Sequence, residues 1–205
     1  MDLEEGSLIL VSNAEPYAHE WEEDEITFNK IAGGLTSALD PLMRNCEGTW
    51  VAWGRGDADF EVCDPGEKIK VPEDGKKKFD LKRIKLSEEE KTDFYYGFSN
   101  EILWPISHSL LGKTTLSDFE STKKKWKVYR QVNEKYADAV TEEISSEEDL
   151  IWIHDYHLTL VAKIIKEKLP EANVALFWHI PWPSWETFGM LPWRNKVMDG
   201  LLAND

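Results

Sequence analysis

Four short, nearly continuous apolar runs separated by helical patterns constrain the fold of this chain most strongly. The runs are LILVSN (8–13), TWVAWG (49–54), DLIWIHD (149–155) and NVALFWHIP (173–181). Strands that are apolar on both faces are typical of a parallel sheet covered by helices on both sides. The pattern therefore predicts one Rossmann-like α/β domain over residues 1–205. In such sheets ligands bind at the carboxyl ends of the strands.

Shorter segments between these runs predict the remaining elements. Gly33-Gly34 precede a helical stretch, LTSALDPLMRN (35–45), while residues 15–32 read as a long polar excursion. Three alternating pieces, separated by Pro-Gly and Asp-Gly turn signals, are typical of antiparallel hairpins. These pieces are FEVCD (60–64), KIKV (68–71) and FDLKRIKL (79–86). The sequence therefore predicts a small antiparallel hairpin region beside the parallel sheet.

Two capping boxes predict where the principal helices begin. Ser87 with Glu90 should open a helix that runs through KTDFYYGFSNEILWP (91–105). Ser117 with Glu120 should open a long amphipathic helix over residues 118–144. A last amphipathic stretch, residues 195–205, comes just before the point where another strand is expected. This order predicts a fold that continues beyond the chain.

The charge balance narrows the classes of partner. The chain has 24 basic and 39 acidic residues, a formal net charge of −15. A field of this sign repels phosphate backbones and anionic lipids, which argues against a nucleic-acid or membrane partner. A small phosphorylated ligand stays compatible with this charge, because a local site can oppose the overall field.

Cysteine usage and the N-terminal residues predict a cytoplasmic protein. Cys46 and Cys63 form no CxxC pair, and this usage is typical of reduced thiols. The acidic start MDLEEGS is followed by an apolar run of only four residues. This start lacks the features of a signal peptide, and a membrane span needs ~20 apolar residues.

Three local motifs do not predict the chemistry that they superficially suggest. GRGDAD (54–59) lacks the third glycine of a dinucleotide-binding fingerprint, and GKTT (112–115) follows no strand, as a phosphate-binding loop would. His154, Asp155 and His157 are possible metal ligands. A strand end followed by a helix start does not aim them at one point, so no metal site is predicted.

Two other features have both a functional and a structural interpretation. Gly33-Gly34 either let a ligand approach the free N–H groups of a helix start or form an ordinary turn. His154 and Asp155 end one predicted strand and His179 ends another. These side chains can bind sugar hydroxyls, or they can form a satisfied structural His–Asp pair. The residues alone leave both interpretations open.

A series of motifs in fixed order resembles a known family. The series is VSN, Gly-Gly opening a helix, AWG, YYGFSNEILWP, DLIWIHDYHL, FWHIPWP and LPWR. Over residues 8–205 it is similar to the N-terminal half of members of the trehalose-6-phosphate synthase family. Members of this family are retaining glycosyltransferases of GT-B architecture. The combination of HIPWP with LPWR resembles archaeal-type members.

This resemblance implies transfer of glucose from a nucleotide-glucose to glucose-6-phosphate, giving trehalose-6-phosphate with retention at the anomeric carbon. It implies no cofactor and no metal, and it implies a C-terminal nucleotide-binding domain as partner, without which the 205 residues should fold but not turn over. Two alternatives stay open: a glucosylglycerol-phosphate synthase, or a catalytically silent module that binds sugar phosphates. Oligomeric state is not predicted.

The resemblance also assigns an acceptor site. Tyr95 and Trp104 of YYGFSNEILW would line the phosphate and ring of the acceptor sugar. Trp53 of WVAWG would pack against or hydrogen-bond the same sugar. Asp155 of HDYHL would accept hydrogen bonds from acceptor hydroxyls, and it is the first of two predicted catalytic residues.

The donor site is assigned in the same way. His179 of HIPWP would contact the donor glucose and is the second predicted catalytic residue. Gly33 and Gly34 would let the donor diphosphate lie against backbone amides. We expect the acceptor and donor residues to converge on one hollow at the strand ends.

One position departs from the family pattern. The family has SNR after the first strand, with an arginine that holds phosphate oxygens, whereas this chain has Ser12-Asn13-Ala14. Three explanations stay open: the protein is inactive, another base such as Arg55 substitutes, or the acceptor is not glucose-6-phosphate. Ala14→Arg is expected to raise glucosyl transfer in a chain that also has the C-terminal domain.

Overall fold

A mixed six-stranded sheet forms the centre of the computed structural model, which describes residues 6–46, 48–73, 75 and 77–205. The strands lie in the order β5-β6-β4-β1-β7-β8, and every neighbouring pair is parallel except β5 with β6. Their bounds are β1 Leu8–Ala14, β4 Thr49–Trp53, β5 Lys68–Val71, β6 Phe79–Ile84, β7 Leu150–His154 and β8 Asn173–Phe177. The predicted Rossmann-like sheet with a small antiparallel region is confirmed.

The order of the parallel strands creates a switch point beside β1. From β1 the chain goes outward to β4 and β6, then returns to form β7 and β8 on the other side of β1. The carboxyl ends of β1, β4, β7 and β8 consequently share one edge of the sheet. In open α/β sheets this edge, at the point where strand order reverses, is where ligands bind.

Alternation along the strands divides the core into two halves. Ile9 and Val11 of β1 face one side, which we call the helical face, whereas Leu8 and Leu10 face the other, the hairpin face. This follows from the two-residue period of a strand. The central strands β1 and β4 are apolar on both faces because both faces are covered.

The helical face is covered by three long helical segments. A π-helical segment (Lys91–Leu103) follows α2 (Glu88–Glu90) and leads into α3 (Trp104–Ser107). It packs with α4 (Phe119–Glu143) and α5 (Val161–Lys168). The Ser87–Glu90 capping box is confirmed, but α4 is capped by Asp118, whose carboxylate accepts from Ser121 N, so the predicted Ser117–Glu120 box is wrong.

The hairpin face is covered by α1 and a separate two-stranded hairpin. The helix α1 (Gly34–Cys46) lies where the sequence predicts a helix. Residues predicted as a polar excursion instead form β2 (Tyr17–Glu22) paired with β3 (Glu25–Lys30). Polar residues are compatible with strands here because β3 and the end of β2 are largely solvent-facing, while Tyr17 and Ala18 at the start of β2 are buried.

Two further predictions need correction. Residues 60–64, predicted as a strand, form turns, in which Asp59 accepts a hydrogen bond from Gly56 N and Glu61 N donates to Ala58 O. Strand β8 ends at Phe177 and not at Pro181. The remaining helices, α6 (Trp185–Phe188) and α7 (Arg194–Leu201), follow this last strand.

Within the described residues no helix combines the length and apolarity that crossing a bilayer requires. The acidic start of the chain, residues 1–5, and Asp74 of the predicted Asp-Gly turn lie outside the described residues.

Candidate functional site

The ends of four parallel strands bring most of the predicted site residues to one edge of the sheet. Ala14 at the end of β1 is paired with Trp53 at the end of β4. His154 at the end of β7 is paired with Phe177 at the end of β8, two residues before His179. Two adjacent pockets open at this edge, one on each face of the sheet.

The first, which we call the aromatic pocket, lies on the helical face and has a volume of about 290 Å³. Trp53 and Tyr95 form its aromatic wall, with ring centroids 6.2 Å apart. The guanidinium of Arg55 lies 5.1 Å from the Trp53 ring and 5.6 Å from the Tyr95 ring. The lining is Trp53, Arg55, Glu88, Lys91, Thr92, Tyr95 and Tyr96.

The π-helical segment explains how this wall is positioned. In a π-helix each N–H bonds five residues back, as Trp104 N does to Ser99 O. Side chains five residues apart therefore lie on one face. Tyr95 stacks on His157 with centroids 5.6 Å apart, and Asn100 accepts a hydrogen bond of 2.7 Å from Tyr156 Oη. Both contacts join the segment to the turn that follows β7.

The second, the histidine pocket, lies on the hairpin face and has a volume of about 320 Å³. It is lined by Gly34, Leu35, Ala38, Leu39, Trp152, His154, Phe177 and His179. His154 Nδ1 and His179 Nε2 share a hydrogen bond of 2.9 Å. Burial, and to a lesser extent His179, lowers the pKa of His154 to about 4. His154 is therefore neutral at pH 7 and holds the exposed His179 ring in place.

Asp155 lines neither pocket but contacts residues beside both. Its Oδ1 accepts from Tyr156 N at 2.9 Å and from His179 N at 3.3 Å. Its backbone has a φ of 75°, a conformation that costs energy for a residue other than glycine. Burial raises the pKa of this carboxyl. The second oxygen, Oδ2, lies 4.0 Å from His157 Nδ1, so it has capacity to accept a further hydrogen bond.

The role of His157 in the site is one that sequence reasoning missed. Its ring is buried between Tyr95 and Tyr156, with a centroid distance of 4.0 Å to the latter. Neither of its ring nitrogens has a hydrogen-bond partner within the described residues. Burial, followed by the charge of Arg55, lowers the pKa of His157 to about 3. The HDYHL motif includes His157, but the contact that places it in the site, its stacking on Tyr95 of the π-helical segment, depends on the tertiary structure.

The expected single hollow is thus two pockets, and strand alternation is the reason. Side chains alternate between the two faces along each strand. Trp53 therefore shares the helical face with Val51, whereas His154 shares the hairpin face with Trp152. The structure brings Trp53 together with Tyr95, and Gly34 together with His179. Asp155 is the predicted residue that contacts both sets, through His157 and through His179 N.

Trp104 and Gly33, like Asp155 and Ala14, line neither pocket. The Trp104 ring stacks on His108 with centroids 4.0 Å apart and packs against the core of the helical face. Gly33 uses its carbonyl oxygen to accept from Ser37 N at 2.9 Å and from Thr36 Oγ1 at 3.1 Å, which caps the first turn of α1. Gly34, in contrast, faces open space, since a Cβ there would meet nothing within 4 Å.

Larger clefts lie away from the strand ends. One of about 480 Å³ lies between α4, α5 and α7, and another of about 500 Å³ lies at the opposite edge of the sheet, where β7 and β8 begin. Position relative to the switch point, and not volume, identifies the candidate site.

A buried network of ionisable side chains lies at the end of β1. Glu15, the residue after Ala14, is fully buried and pairs with the equally buried Arg83, Oε2 to Nε, at 3.0 Å. Arg83 also pairs with Asp59 at 2.9 Å. The other Glu15 oxygen accepts from the backbone N–H of Arg55 at 2.6 Å. The network therefore holds the loop that carries Arg55 against the end of β1.

Comparisons with known proteins agree with this architecture. The model of glycosyltransferase family 20 matches residues 6–205. A trehalose-6-phosphate synthase of Mycolicibacterium smegmatis is 35% identical over 202 residues, which are 98% of this chain and 37% of that protein. The chain thus spans well under half the length of this relative.

Two of the solved structures similar to this chain contain ligands. A UDP-forming trehalose-phosphate synthase from Burkholderia xenovorans, in complex with glucose-6-phosphate, has a TM-score of 0.72 at 25% identity. A structure from E. coli, bound with UDP-2-fluoro glucose, has a TM-score of 0.74 at 26% identity. In each comparison the match covers 98% of this chain and 39% of the other.

Proposed function

The chain belongs to glycosyltransferase family 20, and from this premise we propose that it is the acceptor-side domain of an enzyme that makes trehalose-6-phosphate. The reaction transfers glucose from a nucleotide-glucose to glucose-6-phosphate with retention of configuration. The observation that carries the proposal is the pair of pockets at the switch point. Asp155 links them, because it contacts His179 N of one pocket and His157, which stacks on Tyr95 of the other. Two reacting sugars need two adjacent sites with shared groups between them.

The aromatic pocket is proposed as the acceptor site. The Trp53 and Tyr95 rings supply apolar surface for a hexose ring, and Arg55 supplies positive charge for its phosphate. Asp155 supplies an acceptor for sugar hydroxyls, since its Oδ1 is held by two backbone N–H groups while Oδ2 has free capacity. Glucose-6-phosphate in the B. xenovorans structure supports this class of acceptor.

The histidine pocket is proposed as the donor side. Gly34 leaves open space beside the first turn of a thirteen-residue helix, whose free N–H groups suit a diphosphate. His179, held by neutral His154, is positioned to hydrogen-bond the donor glucose. The UDP-2-fluoro glucose in the E. coli structure supports a nucleotide-sugar donor. The remaining contacts to the nucleotide are proposed to come from a C-terminal domain, as in the longer relatives.

The chemistry needs stabilisation of charge more than a new covalent bond to protein. Positive charge develops on the glucose ring and negative charge on the leaving diphosphate, and preorganised dipoles and hydrogen-bond donors lower such barriers most. Retention would follow if the leaving phosphate takes the proton of the acceptor hydroxyl on the same face. Asp155 is proposed to bind and orient the acceptor, and the reaction is proposed to use neither cofactor nor metal.

The test is a product assay with the polypeptide as its gene encodes it. UDP-glucose and glucose-6-phosphate are supplied, and the product and its anomeric configuration are determined by NMR. Formation of α,α-linked trehalose-6-phosphate is expected. A parallel reaction with glycerol-3-phosphate addresses the glucosylglycerol-phosphate alternative, and product from that acceptor alone would refute the proposal.

Ala14 favours one second candidate, a silent module that binds sugar phosphates. An alanine offers no hydrogen bond to a phosphate at the place where the family pattern has arginine. Calorimetric titration with glucose-6-phosphate separates the two functions. Binding without any product, by a polypeptide of the relatives' full length, would favour the silent module.

A further inference from the structure

The aromatic pocket contains two cations, and they differ in how far they are neutralised. Lys91 pairs with Glu88 at 2.7 Å, and both line the pocket. Arg55 has no carboxylate within 4.0 Å of its guanidinium among the described residues. With one acid and two bases, the lining has a net charge of about +1 in a chain whose total is −15. A local positive site in an acidic protein indicates an anionic ligand.

The backbone of Arg55 is fixed while its guanidinium stays available. Its N–H donates to buried Glu15 Oε1 at 2.6 Å, and Glu15 is itself paired with Arg83. The guanidinium lies 5.1 Å and 5.6 Å from the Trp53 and Tyr95 rings. Contacts to aromatic faces restrict an arginine without using its hydrogen-bond donors. The Arg55 side chain is therefore held in position, while its N–H groups stay available to a ligand.

Ala14 and Arg55 lie in neighbouring segments at the ends of β1 and β4. Ala14 is paired with Trp53, and Arg55 follows Trp53 by two residues. Position 14 has only a methyl group, and the loop that follows β4 brings Arg55 to the same strand ends. The charge of Arg55 also reaches the interior, because it contributes to the lowered pKa of buried His157, which faces Asp155.

From this arrangement we propose that Arg55 is the phosphate-binding residue of the aromatic pocket and replaces the arginine that is absent at position 14. The ligand is a hexose phosphate whose ring lies on Trp53 and Tyr95 while Arg55 donates two parallel hydrogen bonds to the phosphate. The identity of the hexose as acceptor rests on the proposed function, but the phosphate site does not. Lys91 is a weaker second cation because Glu88 neutralises it.

The test compares affinities of the 205-residue chain for glucose-6-phosphate and for glucose by calorimetry at fixed ionic strength. Arg55→Gln removes the charge and keeps most of the side-chain length. Arg130→Gln is the matched control, since Arg130 is exposed on α4 and lies outside both pockets. Circular dichroism establishes that each variant is folded.

The wild type should bind glucose-6-phosphate more tightly than glucose, and Arg55→Gln should lower this preference by about 10- to 100-fold, the usual effect of losing hydrogen bonds to a charged group. Arg130→Gln should leave it unchanged. Adding Ala14→Arg to Arg55→Gln should restore most of the preference, which a purely structural role of Arg55 does not predict. Glu88→Gln should raise affinity about two- to fivefold by freeing Lys91.

Two results would overturn the proposal: equal preference in wild type and Arg55→Gln, or no preference for the phosphorylated sugar in the wild type. These results are independent of the product assay. If trehalose-6-phosphate is not formed but binding depends on Arg55, the phosphate site stands and the proposed function fails. If it is formed and Arg55→Gln changes neither affinity nor turnover, the proposed function stands and the phosphate site fails.

Discussion

The variant Glu15→Gln should remove a loss of stability that the wild-type chain undergoes between pH 6.5 and 8.5. Glu15 and Asp59 are both fully buried, and Arg83 lies between them. Burial, and then the charge of Asp59, raises the pKa of Glu15 to about 8. Burial acts against ionisation of Asp59 too, but hydrogen bonds from His19 and Glu15 outweigh it and lower the pKa of Asp59. The shared proton therefore lies on Glu15.

The direction and the magnitude of this change in the free energy of unfolding follow from proton linkage. An unfolded glutamate has a pKa of 4.5, so between pH 4.5 and about 8 the folded state binds one more proton than the unfolded state. The free energy of unfolding then falls as pH rises, by ~1.4 kcal/mol per pH unit, and levels off above pH 8. Between pH 6.5 and 8.5 the loss amounts to about 2 kcal/mol. Glutamine resembles the protonated acid and does not titrate, so the variant should not show this loss of stability between pH 6.5 and 8.5.

Urea unfolding followed by far-UV circular dichroism at pH 6.5, 7.5 and 8.5 measures this difference. Contributions of histidines outside this network cancel when the variant is subtracted from the wild type. Asp149→Asn is the control, because Asp149 is another buried carboxylate whose pKa is lowered, so its loss should cost stability equally at all three values. A wild-type–Glu15→Gln difference that does not change with pH would refute the assignment of the proton.

Three further predictions concern other parts of the molecule. In a polypeptide of the relatives' full length, and on the function proposed above, Asp155→Asn should keep the fold but lower kcat/KM for glucosyl transfer at least about tenfold. The reason is the loss of a hydrogen bond from a sugar hydroxyl to a charged acceptor, and product formation measures it. Gly200→Ala should lower the free energy of unfolding, measured in urea, by about 1–3 kcal/mol, because its Cβ would lie 2.1 Å from Thr159 O. The control Gly112→Ala, whose Cβ would meet nothing within 4 Å, should change it by less than ~0.5 kcal/mol. Since the pKa of His154 is lowered to about 4, stability should fall as pH drops from 6.5 towards 4, and His154→Asn should make this acid-side fall shallower by up to ~1.4 kcal/mol per pH unit in the same urea assay.

Much of the scaffold was predictable because it depends on local patterns. A strand that is apolar on both faces, such as β1, carries the evidence for a covered parallel sheet within its own residues. The Ser87–Glu90 cap is equally local, since both partners lie within four residues. The β2–β3 hairpin was missed because its strands are largely solvent-facing and lack an apolar pattern.

The list of site residues was predictable only in part, for a related reason. Trp53, Tyr95, Gly34, Asp155 and His179 are found at the expected edge of the sheet. Their motifs follow strand ends, or open the helices beside them, and parallel strands end together.

By itself the sequence determined the strand and helix periodicity, the family resemblance and the alanine at position 14. Only the tertiary structure decided that Trp53 and His154 face opposite sides of the sheet, because strand pairing sets which face each residue meets. It also decided that the backbone N–H of Arg55 bonds to buried Glu15, the residue that follows Ala14. Glu15 and Arg55 are forty positions apart and come into contact because β1 and β4 pair in the sheet. A local sequence pattern cannot encode such a contact.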